Sequence, residues 1–501
     1  MRRRLATAAR LAACLLAPGA CGPTAPAAAP SLAFEPCTLG SPGSPFGLAA
    51  RCATLEVPED RANPAGRKVR LAVAVVPSTA ERPEPDPVFF LAGGPGEAAR
   101  VSFAGVAPAF REVLERRDVV LVDQRGTGGS NALACRNAAG AAGAAGAAAD
   151  PFAAPDAEDP AALKAFAAGC LAGLDADVRF YTTGEAVADL EAVREALGAP
   201  AIDLVGVSYG TRVAQEYVRR HPGRVRAVVL DGVVPPGLVL GAEFARNLDD
   251  ALALASRRCE ADEACRRRFG APREALGRLL ERARREPPAA RFRDPLGGGP
   301  REEKLGAGQV AAVARLFSYA PKLAALLPLA VDEALAGRPE ALAAQAAMVE
   351  GLLGGSIVQG MQLSVVCSED VDLLAPDPAD DATVLGGGFV RATRAQCEAW
   401  PKGRRAPDFH APLASDVPAL LLSGELDPVT PPRYGERVAA TLPRGRHLVA
   451  RGQGHHVGST GCLPKLVAAF LRGGDARTLD ASCLDRLGPT PPFEGPHGWG
   501  P

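Results

Sequence analysis

A chain of 501 residues, 47% of them hydrophobic, is long enough to bury a large core, either as one big α/β domain with an insertion or as two domains. Its 56 basic and 57 acidic side chains leave a formal charge of −1. No strong field therefore steers it toward nucleic acid or an anionic membrane surface, and small substrates are the expected partners.

The chain opens MRRRLATAARLAACLLAPGACGPTAPAAAP, with basic residues, an apolar stretch, small residues and an Ala/Pro spacer. This is the layout of an export signal over residues 1–30. The stretch is too short, and too interrupted by Arg10, for a membrane span. Two cysteines offer a lipidation point: Leu11-Ala12-Ala13-Cys14 has the better local spelling, whereas Cys21 has the better position but Pro18 where a leucine is expected. The protein is expected to be exported and secreted, periplasmic or lipid-anchored, with an uncleaved N-terminal helix as the alternative. Any membrane attachment would run through that N-terminal lipid, and the chain is expected to be a monomer.

Residues 31–240 read as the first part of an α/β core. CATLEVPED and VRLAVAVVPST alternate like a hairpin; DPVFFLAGGPG and RRDVVLVDQRGTGGS are buried strands ending in polar or Gly-rich loops. The Ala/Gly-rich segment 138–159 is low in complexity and reads as a solvent loop tied down at Cys135 and Cys170. TTGEAVADLEAVREALG carries a Thr cap, helical periodicity and a terminal glycine. Next come the strand IDLVGVS, the helix TRVAQEYVRRHP and the strand RVRAVVLDGVVPP. Apolar strands separated by helices predict a mostly parallel sheet covered on both faces. Residues 241–404 turn to Ala/Leu/Arg-rich helices without a fixed period, which reads as an inserted helical lid. Core strands return over 405–485 in VPALLLSGELDPVTPP and HLVARGQGHHVGS, followed by the helix LPKLVAAFLRG. Residues 486–501 form a Pro/Gly-rich tail.

Beyond the signal ten cysteines remain, an even number in a chain expected to meet an oxidising compartment, so disulfides are the default reading. Sequence neighbours are spaced for five local bridges: Cys37 with Cys52, Cys135 with Cys170, Cys259 with Cys265, Cys367 with Cys397, and Cys462 with Cys483. Spacing alone leaves the connectivity open. Zinc is disfavoured, since no CxxC pair occurs and no histidine falls at ligand spacing from a cysteine pair.

Gly206-Val207-Ser208-Tyr209-Gly210 lies between a predicted strand and a predicted helix. G-x-S-x-G in that setting is the nucleophile-elbow signature, in which a tight turn presents the serine oxygen and the glycines avoid collisions with neighbouring backbone. A serine hydroxyl needs a histidine to take its proton and a carboxylate to orient that histidine. Asp427 ends the apolar run of LLLSGELDPVTPP, and Gly454-His455-His456 follows the next strand, giving the order Ser, Asp, His. His455 and His456 compete for the role of base. The remaining histidines are poorer candidates: His221 in a helix-ending HPG, His410 at the lid exit, His447 opening a strand and His497 in the tail. Donors for an oxyanion are available from the glycine turn LAGGPG and from the N–H of Tyr209. A phosphate-binding reading of those glycines fails, because GGPG is not G-x-G-x-x-G and no G-K-[ST] follows.

The blocks FFLAGGPGEAA, VVLVDQRGTGGSNALAC, the stretch from TTGEAVADLEAVREALG to VVLDGVVPP, LSVVCSED, PALLLSGELDPVTPP and GQGHHVGSTGCLPKLVAAFL together resemble the secreted tripeptidyl and prolyl aminopeptidases of the α/β-hydrolase fold, over roughly residues 35–485. The resemblance implies a serine exopeptidase acting near free N-termini, with no metal or organic cofactor. By motif it implies Ser208 as nucleophile, Asp427 as orienting acid, His455 as general base, and Gly94 with Tyr209 as oxyanion donors. Prolyl members usually spell the loop H-G-G-P-G. Ala92 replaces that histidine here, which loosens the case for strict proline specificity.

An exopeptidase of this kind must also hold a substrate ammonium, and Glu369 and Asp370 in VVCSED are the candidate carboxylates. Asp123 and Arg125 in DQRGTGGS are expected to brace loops. The alternatives are a small-molecule esterase or lactonase using the same triad, and a non-catalytic envelope binding protein.

Overall fold

The computed structural model of the chain describes residues 32–41, 47–135, 159–495 and 497–498. The expected export signal with Cys14 and Cys21, almost all of the Ala/Gly-rich segment 138–159 and the end of the tail lie outside the described residues.

Strands form mostly on short apolar runs, many of them rich in β-branched residues. In chain order they are β1 (Glu35–Leu39), β2 (Leu48–Pro58), β3 (Lys68–Val76), β4 (Val88–Leu91), β5 (Val119–Val122), β6 (Ile202–Val207), β7 (Val225–Asp231), β8 (Ala289–Arg293), β9 (Pro300–Lys304), β10 (Ala419–Gly424) and β11 (Gly445–Ala450). Nine of them make one sheet in the order β1-β2-β3-β5-β4-β6-β7-β10-β11. From β5 to β11 every pairing is parallel, and the β1, β2 and β3 pairings are antiparallel. The CATLEVPED and VRLAVAVVPST hairpin is thus the antiparallel wing of a mostly parallel sheet.

Alternation with period two divides the strand residues between two cores. Val73, Val75, Val120, Leu204, Leu230 and Leu421 face one side, and Ala74, Val76, Leu121, Val205, Val229 and Leu422 the other. Helices cover both faces. Helix Thr183–Ala196 starts where the Thr182 hydroxyl accepts the Glu185 N–H, a cap worth about 1 kcal/mol. Helix Leu463–Gly473 stops at Gly474 in the left-handed region.

The insertion has a separate core in which Leu248, Leu279, Val310, Phe317, Val331 and Leu342 meet. Two features add detail to the helical lid expected over 241–404. First, β8 and β9 pair as an antiparallel hairpin around a DPLGGG turn, with Arg291 opposite Glu302; its polar, alternating residues give little of the apolar signal that reveals a strand. Second, packing changes hands well before residue 404. Met361, Val365, Val366, Cys397 and Trp400 join the core beneath the main sheet rather than the insertion's own, whereas Val384 and Leu385 still pack in the insertion's core.

Five disulfides join the five sequence-neighbour pairs, Cys37–Cys52, Cys135–Cys170, Cys259–Cys265, Cys367–Cys397 and Cys462–Cys483. No helix among the described residues is long and apolar enough to cross a membrane.

Candidate active site

The strands β4, β6, β7 and β10 end together, and the loops leaving those ends carry the chemistry. β6 runs into Ser208, whose backbone has φ 54° and ψ −122°, a conformation a non-glycine residue holds only where its surroundings enforce it. The flanking glycines supply that enforcement. A side-chain carbon on Gly206 would lie 2.5 Å from the Gly210 carbonyl oxygen, and one on Gly210 would strike the Leu91 carbonyl at the end of β4. The Ser208 N–H donates to the Asp231 carbonyl at 2.8 Å, and its hydroxyl makes no bond to the helix Tyr209–Arg220 that begins behind it. The nucleophile is held by its backbone and left free at its oxygen.

Asp427, 2% exposed, follows β10 and sits within a nest of donors. Its Oδ1 accepts the Val429 and Thr430 N–H groups, each at 2.8 Å; its Oδ2 accepts the Thr430 hydroxyl at 2.8 Å and the Nδ1–H of His455 at 2.7 Å. Burial alone would raise this carboxyl's pKa, but the His455 partner and the two amides outweigh it and hold the group below the usual carboxylate value. The same balance works on the base. Burial would lower the His455 pKa, but Asp427, through charge and hydrogen bond, with Asp231 and Glu97 adding to it, raises it above that of an ordinary histidine.

His455 comes from the loop after β11, and Nδ1 is committed to Asp427, leaving Nε2 for a nucleophile. No hydrogen bond joins it to Ser208, whose own neighbours bring the two together: Gly232, next to the Asp231 that holds the Ser208 amide, lies so near that a side-chain carbon on it would be 2.9 Å from His455 Cε1. Catalytic bonds of this kind commonly tighten only in the substrate complex. His456, the competing histidine, points elsewhere, its Nδ1 lying 2.7 Å from Asp231 Oδ2.

Across from the elbow, β4 runs into Ala92-Gly93-Gly94-Pro95-Gly96. A side-chain carbon on Gly93 would lie 3.3 Å from Ser208 Cβ, so this turn borders the nucleophile. The Gly93 N–H is taken by Glu97 Oε2 at 3.2 Å, whereas the Gly94 N–H has no acceptor among the described residues. Tyr209 contributes the first amide of its helix, where the dipole favours negative charge.

The insertion touches both catalytic loops. The Tyr319 carbonyl accepts the His455 N–H at 2.9 Å, and its ring meets the imidazole edge-on at 5.1 Å. The Val358 N–H donates to the Gly96 carbonyl at 3.0 Å.

Glu369 and Asp370, expected to hold a substrate ammonium, are both buried and have partners inside the protein. Asp370 is fully buried and pairs with Arg212, one turn into the helix behind Ser208, at 2.8 Å. Glu369 accepts the Thr183 N–H at 2.6 Å and the Thr183 hydroxyl at 2.8 Å, and that hydroxyl also meets the Tyr209 hydroxyl at 2.7 Å. Burial pushes Glu369 up to about 7 against the pull of Arg212. Asp123 accepts from the backbone and side chain of Arg100 and from the Gly129 N–H, and Arg125, fully buried, forks onto Asp189 with both contacts at 2.6 Å. Both brace loops. Among the described residues no group of three or more His, Cys, Asp and Glu side chains is arranged to hold a metal ion.

Thr430, Glu97 and Tyr319 were not singled out from sequence. Thr430 had a local signal, since a hydroxyl three residues after an aspartate in a turn commonly folds back on it. Tyr319 had none, because it arrives from a separate part of the chain.

Residues 86–255 match the family described as the alpha/beta hydrolase fold, and residues 383–483 match the family described as TAP-like protein. The chain is 28% identical to the serine protease Hip1 of Mycobacterium tuberculosis over 486 residues, covering 90% of each chain. It is 27% identical to the tripeptidyl aminopeptidase of Streptomyces coelicolor over 478 residues, covering 88% of this chain and 84% of the relative. Over a shorter stretch of 224 residues it is 34% identical to carboxylesterase B of Mycobacterium tuberculosis, covering 43% of this chain and 42% of that one.

Proposed function

Since residues 86–255 match the alpha/beta hydrolase fold family and residues 383–483 the TAP-like family, we propose that the chain is a serine exopeptidase that cleaves peptide bonds near free N-termini through Ser208, His455 and Asp427. The observation that carries this reading is the 2.7 Å bond between His455 and buried Asp427 at the strand ends that also present Ser208. The similarity to a serine protease and a tripeptidyl aminopeptidase over nearly the whole chain supports the peptidase assignment.

In this mechanism His455 Nε2 accepts the Ser208 proton as Oγ attacks the scissile carbonyl. The new oxyanion is met by the N–H groups of Gly94 and Tyr209, each such donor being worth roughly 3 kcal/mol in related sites. His455 then gives its proton to the departing amine, and water admitted to the same imidazole hydrolyses the acyl-enzyme. Asp427 stays ionised throughout, holding the tautomer with hydrogen on Nδ1 and stabilising the imidazolium. The glycine turn reaches the serine without the histidine that prolyl members carry, Ala92 standing in its place, so the reading is not tied to proline. Five disulfides support a place outside the cytoplasm.

The partial similarity to a carboxylesterase favours ester hydrolysis as the second reading. The two are separated by rates on peptidyl arylamides with a free amine, the same substrates N-acetylated, and p-nitrophenyl esters of short acids. The exopeptidase reading predicts the highest kcat/KM for the free-amine arylamides. Esters hydrolysed while every arylamide is refused would replace it with the esterase reading.

A further inference from the structure

One buried carboxylate outside the triad touches both moving parts of the mechanism. Asp231 ends β7, 2% exposed. Its carbonyl accepts the Ser208 N–H at 2.8 Å, fixing the backbone of the nucleophile. Its side chain faces the other way, into the loop that carries the base: Oδ1 accepts the Val457 N–H at 3.0 Å and Oδ2 the Gly458 N–H at 2.7 Å. His456 completes the set with Nδ1 2.7 Å from Oδ2 and no hydrogen bond between them. That loop needs a restraint, because His456 is a non-glycine residue at φ 61°, a left-handed conformation that a side-chain-bearing residue keeps only where its surroundings hold it.

We infer that Asp231, partnered by His456, is a positioning residue of the proposed hydrolysis, a second Asp–His pair that joins the serine's elbow to the loop of His455. It touches neither substrate nor the reacting oxygen. Its backbone fixes where Ser208 begins, its carboxylate fixes the two amides directly after the histidine pair, and the residue after it, Gly232, borders the His455 ring. The distance between nucleophile and base therefore runs through one residue, and misplacing either group by about 1 Å would cost on the order of 100-fold in rate.

The carboxylate also acts through its charge. Asp231 is held ionised: burial opposes this, and His456 with the Val457 and Gly458 amides outweighs it. The charged and titratable groups facing His455 come from four elements: Asp427 after β10, Asp231 with β7, Glu97 from the glycine turn, and Tyr319 from the insertion, with His456 adjacent in its own loop. The three carboxylates raise the His455 pKa, so removing one must lower it.

The inference rests on the serine hydrolase reading, and fluorophosphonate labelling of the wild-type protein keeps the two apart, since an unlabelled wild type fails that reading before Asp231 is tested. With labelling established, Asp231→Asn is compared with wild type for kcat, KM, the acid limb of kcat/KM against pH, and thermal midpoint. The expected result is a fall in kcat of roughly 10–100-fold, KM within about twofold, and an acid limb displaced to lower pH. A folded Asp231→Asn with its acid limb unmoved overturns the inference whatever its kcat.

His456→Asn supplies the second arm should Asp231→Asn not fold. Asparagine tolerates the left-handed backbone, and the Asp231 carboxylate stays on its two amides, so the acid limb must hold its place or move to higher pH. A downward shift in this variant would equally overturn the inference.

Discussion

Asp427 and Glu369 are both buried acids, and the protein treats them in opposite ways. Asp427 collects two backbone amides, a hydroxyl and the His455 ring, and stays below the ordinary carboxylate pKa. Glu369 collects one amide and one hydroxyl, lies beside the like charge of Asp370, and is pushed up to about 7. The first is a carboxylate kept charged in order to act on a neighbour. The second belongs to a buried network of Thr183, Tyr209, Arg212 and Asp370 that anchors the helix behind the nucleophile. Burial therefore does not mark a working acid; the number and kind of its donors does.

Breaking the first region should have the largest effect. Asp427→Asn keeps the shape of the side chain but favours the wrong His455 tautomer, and kcat should fall about 10⁴-fold with the thermal midpoint little changed. A loss below tenfold, read from steady-state rates, would move Asp427 from the first class into the second. In the anchoring network, Arg212→Ala leaves Asp370 charged and unpaired inside the protein, and the stability read from denaturant midpoints should drop by roughly 3–5 kcal/mol. Replacing Arg212 and Asp370 together with leucine or methionine should recover much of that loss, because the desolvation of both charges disappears with them.

The pH profile sharpens the contrast further. His455 must be neutral to accept a proton, and its pKa is raised, so activity is present above that pKa and lost as pH falls through it. The acid limb of kcat/KM should lie above the ordinary histidine value of about 6.5, and Asp427→Asn should bring it down. The smallest effect is expected from Glu369→Gln. Since Glu369 is occupied by Thr183, any change in kcat/KM should be equal for free-amine and N-acetylated substrates. A selective loss on the free-amine substrate would mark it as an ammonium receptor.

The contrast also explains what could be read from the sequence. Ser208, Asp427 and His455 stand at the ends of apolar strands, where short-range patterns report on where a side chain emerges, and strand order brings those ends together. The disulfide pairs could be guessed because each closes a short loop between sequence neighbours. VVCSED carried no comparable information. Its acids look like any exposed acidic pair, and their burial depends on Arg212, more than a hundred residues earlier. The return of Met361, Val365 and Trp400 to the main core was hidden for a similar reason: Ala/Leu-rich helices read alike whichever core they enter. Tyr319 reaches His455 through its carbonyl, an atom every residue has and no sequence pattern reports.

The account depends most on the oxygen of Ser208 being the nucleophile activated by His455. Peptide mapping by mass spectrometry after reaction with a fluorophosphonate tests this directly. The account predicts a single phosphonyl adduct on the peptide carrying Ser208, absent from Ser208→Ala and formed far more slowly in His455→Ala. A folded wild-type protein that takes up no label, or takes it up on another residue while Ser208 stays unmodified, would contradict it.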